Sequence, residues 1–355
     1  MPPPARHLSA GLLGLCLSLV AGCTHYGPTT VARDRSDYSA AITESWKRQT
    51  LLNIVKLRYL DPPIFVDVGQ IVTGYTIENG GSAGVSIPDG ASLGATTLSL
   101  GGTTKFTDRP TITYVPLTGN KFINGLLTPL QPSALFRAMQ AGWPADVILK
   151  LGVGSINSLN GERVGRGGVT EADDDFERVT QLMRELQVSG MVSIRVAEEE
   201  HKRPTTLITL RSSNISEEHL EKSHELRRLL KLDADAAEFA LSYGAIAGSD
   251  REVAVTTRSL MQVLGALAAH VDVPPEHITE GRATPGTPDY HGIRFHSGKE
   301  AAPDAFIAVR YRDHWFWIDD RDLATKRAFA LIMVLFTMAD TDAGGNLPVL
   351  TIPTG

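Results

Sequence analysis

The stretch 80–116, GGSAGVSIPDGASLGATTLSLGGTTKFTDRPTITYVP, constrains the fold more than any other part of the chain. Glycine in a helix interior costs about 1 kcal/mol relative to alanine, and serine and threonine also rank low, so the segment cannot hold a helix. Upstream, Ile64, Val66 and Val68 alternate with polar or small neighbours, and Ile71, Thr73, Tyr75 and Ile77 continue the period of two that marks a half-buried strand. The groups NGG (79–81), PDG (88–90) and GG (101–102) lie between extended pieces, where such residues make tight turns. The sequence therefore predicts β-hairpins across 64–116.

On either side the pattern changes. Leu51, Ile54, Val55 and Tyr59 form one apolar stripe and predict a helix over 36–59, stopped by Asp61-Pro62-Pro63. A short helix is expected over 132–141, ended by Gly142-Trp143-Pro144, and a second over 146–159 despite Gly152 and Gly154. Residues 160–169 read as a surface loop. Helices then follow over 173–188, 216–232, 258–270 and 322–338, the last capped by Asp320. Strands are expected over 191–197, 205–211, 238–243 and 252–256, in a hairpin 306–311/315–318 around Arg312-Asp313, and at 349–352. Strands that directly succeed one another argue for an α+β fold. Its expected parts are an N-terminal helix, a Gly/Ser/Thr-rich β-hairpin segment, then mixed helices and mostly antiparallel strands. The expected domains are 38–168 and 169–355.

The leader fixes an address. Arg6 supplies a positive start, and 8–20 is an uncharged apolar run too short to cross a bilayer, which takes about 20 residues. That layout is a cleaved signal peptide, 1–22. It ends in Val20-Ala21-Gly22-Cys23, which resembles the lipobox of bacterial lipoproteins, whose cysteine is acylated and becomes the first mature residue. Of the two cysteines, Cys16 leaves with the leader and Cys23 carries the lipid. Removing 22 of the 355 residues leaves 333 with no free thiol. Thr24, where inner-membrane lipoproteins carry Asp, implies the outer membrane. Residues 23–37 are polar and read as a flexible tether.

The formal charge is −6, and −7 once the one arginine of the leader is removed. Without a Lys/Arg block, that balance gives no footprint for nucleic acid. An apolar share of 42% with 21% charged residues is that of a globular chain rather than a disordered one.

Motifs for chemistry are sparse. Gly80-Gly81-Ser82-Ala83-Gly84 satisfies G-x-S-x-G, but no helix pattern follows, as a nucleophile elbow requires. His219 and His224 are five apart on one expected helix and point away from each other. Asp319, Asp320 and Asp322, like Asp173, Asp174 and Asp175, read as helix-capping acids rather than cation ligands. The sequence calls for no cofactor, no metal and no catalytic residue. Trp143, Trp315 and Trp317 are the candidate interaction surface, with core packing as the alternative.

The phrases LLNIVKLRYLDPPIFVDV, RPTITYVPLTG, GWPADVILKLGVGSIN, WFWIDDRDLATKRAFALIMVLF and PVLTIP resemble a group of uncharacterised bacterial lipoproteins. That resemblance implies an envelope location and brings no activity. Three functions are consistent with the chain. One is a non-catalytic envelope component, held by lipid on Cys23 and docking to other envelope proteins or to its own copies. A second is a subunit of an oligomeric outer-membrane channel contributing hairpins from 64–116. A third is an envelope hydrolase working through carboxylates.

Overall fold

The structure, a computed structural model, describes residues 26–86, 97–165, 168–197, 205–211, 216–285 and 292–339. The leader, Cys23 and the strand expected at 349–352 lie outside these. The chain divides into two compact units, 1–48 and 49–355. Helix α1 (Tyr26–Arg58) supplies the described part of the first unit and opens the second. The stretch expected to be a tether is thus helical from Tyr26 onward. Pro28 is compatible with this because the first turn of a helix has no backbone acceptor waiting for its N–H.

In the second unit, Leu51, Ile54, Val55 and Tyr59 are buried, as their spacing requires. Strands β1 (Phe65–Val72), β2 (Tyr75–Ser86), β3 (Thr97–Asp108) and β4 (Thr111–Leu117) come next. Two helices, α2 (Asn120–Leu127) and α3 (Pro132–Gln140), lead to α4 (Ala145–Gly152). The helix expected over 146–159 ends at Gly152, and β5 (Val153–Ile156) and β6 (Leu159–Asn160) follow. Asn157 and Ser158, with φ of 43° and 72°, make the two-residue turn between them. Pairing of β5 with the sheet outweighs the local helix pattern.

A small hairpin, β7 (Arg163–Gly165) and β8 (Gly168–Thr170), precedes α5 (Asp174–Val188), β9 (Val192–Ala197), β10 (Thr205–Leu210) and α6 (Glu217–Leu229). Strands β11 (Glu238–Tyr243) and β12 (Glu252–Thr257) complete a six-stranded sheet in the order β6-β5-β12-β11-β10-β9. Only β11 and β12 run parallel in it. This sheet takes strands from both sides of residue 168, so the two expected domains share one sheet.

Ser259 and Gln262 form a reciprocal capping box at the start of α7 (Leu260–Ala269). A short α8 (Pro275–Thr279), absent from the sequence reading, follows it. Strands β13 (His296–Gly298), β14 (Ala305–Tyr311) and β15 (His314–Asp319) build a second, antiparallel sheet in the order β13-β15-β14. Arg312 and Asp313, with φ of 46° and 64°, turn β14 into β15 as expected. The last described element is α9 (Leu323–Ala339). Its first turn is capped by Asp322, whose carboxylate accepts from the Thr325 N–H at 2.9 Å, whereas Asp320 pairs with Lys326 at 2.6 Å. The cap expected at Asp320 is therefore two residues further on. The fold is α+β with mostly antiparallel sheets.

Candidate functional site

The Gly/Ser/Thr-rich segment folds as one ribbon rather than several hairpins. Tyr75–Ser86 pairs with Thr97–Asp108 without a shift, from Tyr75↔Asp108 to Ser86↔Thr97. Phe65–Val72 pairs with Thr111–Leu117, from Val72↔Thr111 to Phe65↔Leu117. The two ladders are in register across a break at Thr73-Gly74 and Arg109-Pro110, which the Arg109 N–H bridges by donating to the Gly74 carbonyl at 3.0 Å. Pro110 has no N–H to give, which accounts for the gap. The expected turns at 79–81 and 101–102 do not form; both groups lie inside strands. The PDG group lies outside the described residues.

The base of the ribbon is tied to α1 by two amides that pair with its backbone as a neighbouring strand would. Gln49 accepts from the Val66 N–H at 2.6 Å and donates to the Val66 carbonyl at 3.0 Å. Asn53 does the same with Ile64, at 3.0 and 2.8 Å. Phe65 is buried and meets Phe122 and Phe336 edge-on or tilted. One residue pair is slipped at Gly69, where an added Cβ would lie 2.7 Å from the Val115 side chain, so only glycine fits that bulge.

Beyond the base, exposure is nearly complete: residues 80–84 and 101–106 are all exposed. Alternation along the paired strands still sorts the positions into two different faces. One face carries Val66, Val68 and Ile71 opposite Pro116, Tyr114 and Ile112, then Tyr75, Ala83 and Phe106. Tyr75 and Phe106 stack diagonally on it, ring centres 5.7 Å apart. Asp108, Thr104 and the pair Gly81–Gly102 are its less apolar positions. The other face carries Thr76–Thr107, Glu78–Lys105, Gly80–Thr103, Ser82–Gly101 and Gly84–Ser99. On this face each of three hydroxyls folds over the glycine opposite: Thr103, Ser82 and Ser99 donate to the carbonyls of Gly80, Gly101 and Gly84 at 3.2–3.4 Å. The result is a polar, low-relief face behind an apolar one.

Among the described residues strands β2 and β3 form a sheet of two, so each has an edge without a partner there. A two-stranded ribbon is marginal in water on its own, and long open edges recruit further strands. Twelve residues per strand, tilted as in a barrel, rise about 30 Å, close to the thickness of the hydrocarbon core of a membrane.

The remaining candidates are placed as follows. Gly80-Gly81-Ser82-Ala83-Gly84 is strand, not a nucleophile elbow. Trp143 packs partly buried against the core, and its carbonyl accepts from Gln187 at 2.7 Å. Along β15, His314, Phe316 and Ile318 are buried while Trp315 and Trp317 take the opposite, half-buried face. Trp317 stacks on His296, and Gly298 opposite Trp315 leaves room for the Trp317 ring. Ser216 caps the helix that carries His219, accepting from its backbone N–H at 3.4 Å and lying 2.6 Å from its Nδ1, and His224 is exposed. Among the described residues no group of three His, Cys, Asp or Glu side chains is placed to hold a metal ion. A cavity between the helices and the large sheet is walled by apolar groups alone, among them Phe136, Met183, Leu226 and Phe239, and brings no pair of acids together.

Sequence reasoning missed one buried polar cluster, because its members come from three distant segments. The Tyr59 hydroxyl lies 2.7 Å from His277 Nδ1, and His277 meets the His314 ring edge-on at 4.8 Å. His314 Nε2 donates to Glu276 at 3.0 Å, and Tyr311 donates to Asp61. Burial pushes the Tyr59 phenol up to about 12. Burial, then the His314 and Arg282 charges, hold the His277 imidazole below its usual value, while Glu276 and Glu280 oppose the shift. The backbone N–H of Glu276 itself, then Lys299 and His314, hold the Glu276 carboxyl down to about 2. Each shift has a sign for stability. His277 is bound neutral, so its contribution is complete above the unfolded value near 6.5 and is lost as pH falls below it. Tyr59 contributes below about 10 and loses its share as pH rises through about 12. In thermal melts, His277→Gln is expected to flatten the loss of stability between about pH 6.5 and 5 relative to wild type. An unchanged slope would contradict the assignment.

Comparison of the chain with protein-family models, with curated proteins and with solved structures returned no match.

Proposed function

We propose that the chain is a lipid-anchored envelope protein, acylated at Cys23, several copies of which join through their β-ribbons into an outer-membrane channel. The observation that carries this reading is the ribbon itself: an unshifted register from Tyr75–Asp108 to Ser86–Thr97, an apolar and a polar face, and two edges without a partner among the described residues. Copies placed side by side satisfy those edges and close a sheet whose apolar face meets lipid and whose polar face lines water. That is the dyad pattern of membrane barrels, with aromatic residues such as Tyr75, Phe106 and Tyr114 at the interfaces. A lumen holding water takes about 16 strands, hence about eight copies at two strands each. No helix among the described residues is long and apolar enough to cross a membrane. Neither the assembly nor the anchor calls for a cofactor or a catalytic residue.

The non-catalytic docking reading keeps support from the less apolar positions Thr104, Gly81 and Gly102, which suit a ribbon that pairs with another envelope protein without entering lipid. Sizing of the acylated protein in mild detergent separates the two. A homo-oligomer of about eight copies supports the channel, and a monomer, or a complex with one copy of a second protein, overturns it. Cys23→Ser is expected to abolish palmitate labelling and release the protein from the outer membrane; retained label would contradict the anchor.

A further inference from the structure

The charges on the polar face of the ribbon are few and unequal. Between the break and the last described pair that face holds Glu78, Lys105 and Arg109, and its other positions are hydroxyls and glycines. Glu78 and Lys105 are direct cross-strand partners, with Nζ 3.6 Å from the carboxylate, so they cancel locally. Arg109 belongs to the same face, two pairs nearer the base, and stands opposite Gly74, which offers no side chain. Asp108, its neighbour in sequence, falls on the apolar face opposite Tyr75 and does not balance it there. Within this stretch one positive charge per copy is left over, at the mouth of the twelve-residue span; the next acid on the same face, Asp67, lies seven residues nearer the base, opposite Val115, and accepts from the Val68 N–H.

We propose that the channel prefers anions, and that Arg109 sets the preference. The inference rests on the channel reading above: in a closed ring, one surplus guanidinium per copy makes a band of about eight positive charges at one mouth. Rings of Arg or Lys raise the local concentration of anions, whereas the deeper lumen, lined by hydroxyls and glycines, adds passage without discrimination. The solutes it suits are hydrophilic and negatively charged.

The acylated protein is reconstituted in zwitterionic planar bilayers, and the reversal potential is measured across a KCl gradient. Wild type is expected to pass chloride about two- to fivefold better than potassium. Arg109→Gln should bring that ratio near one, and Glu78→Gln, which removes the acid paired with Lys105, should raise it. The opposite signs of the two variants keep the test informative if one of them assembles poorly. Conductance with no chloride preference, or a preference that Arg109→Gln and Glu78→Gln leave unmoved, overturns the inference while the channel stands. Absence of any conductance from wild type overturns both.

Discussion

Gly81→Arg is expected to stop the assembled protein from entering a bilayer, while Ser82→Arg, one residue along, is expected to leave insertion intact. The two positions are neighbours at the middle of β2, and both are exposed. A Cβ at Gly81 meets nothing within 4 Å, so the added side chain does not disturb the ribbon itself. They differ in the face they occupy. Position 81 falls on the face with Tyr75 and Ala83, and position 82 on the face with Glu78 and Gly80. An arginine at the lipid-facing midplane of a barrel strand costs about 2–4 kcal/mol, or about thirtyfold to nearly a thousandfold per copy. Repeated in every copy of a ring, that cost is prohibitive. Flotation of reconstituted protein on a density gradient reads the result. Equal behaviour of the two variants would mean that the faces are not distinguished and that the ribbon does not meet lipid.

The second large effect lies away from the ribbon and tests the body that carries it. Asn157→Ala is expected to destabilise the second unit by about 3–5 kcal/mol, lowering its melting temperature by about 10 °C. Asn157 is buried, and its amide nitrogen donates to the carbonyls of Leu230 and Glu252 at 2.8 and 3.2 Å. Its amide oxygen accepts from the Ala254 N–H at 2.7 Å. One side chain therefore joins the β5–β6 turn to the start of β12 and the end of α6. Alanine leaves those three backbone groups without their partner and also has to adopt a φ of 43°, which asparagine tolerates better. Aspartate at the same place keeps the acceptor but sets a carboxylate oxygen against the two carbonyls that the amide nitrogen served, so it should be no more stable than alanine. A melt within 1 kcal/mol of wild type for the alanine variant would contradict this account of the turn.

Where local pattern and tertiary pairing agree, the sequence was readable. The apolar stripe of α1, the Arg312-Asp313 turn and the alternation through the ribbon all have short-range causes. The misreadings share another origin. Residues 146–159 have a helical rhythm, but Val153 to Ile156 find a partner in β12 a hundred residues on, and the turn chemistry of Asn157-Ser158 decides the boundary. The glycines at 79–81 and 101–102 look like turns one at a time. Only the register shows that Gly81 and Gly102 face each other inside one ribbon. The same register reveals that Phe106 shares a face with Tyr75 and Ala83, which no single strand discloses. For Trp315 and Trp317 the spacing showed a common face, whereas the half-buried character of that face came from His314, Phe316 and Ile318 taking the core side. The Tyr59–His277–His314 cluster left no linear trace, because its members meet only after α8 and the β14–β15 hairpin have packed.

The proposed anchor makes the central claim easy to probe: with cleavage before Cys23 and lipid on it, no free thiol of the chain competes with an introduced one. Single cysteines at 75, 76, 80, 81, 82, 83 and 84 can therefore be scanned in proteoliposomes with a water-soluble maleimide. If the ribbon lines a channel, 76, 80, 82 and 84 label rapidly while 75, 81 and 83 stay protected, a period of two matching the polar and apolar faces. Uniform labelling at all seven positions would place the ribbon in water and contradict the channel.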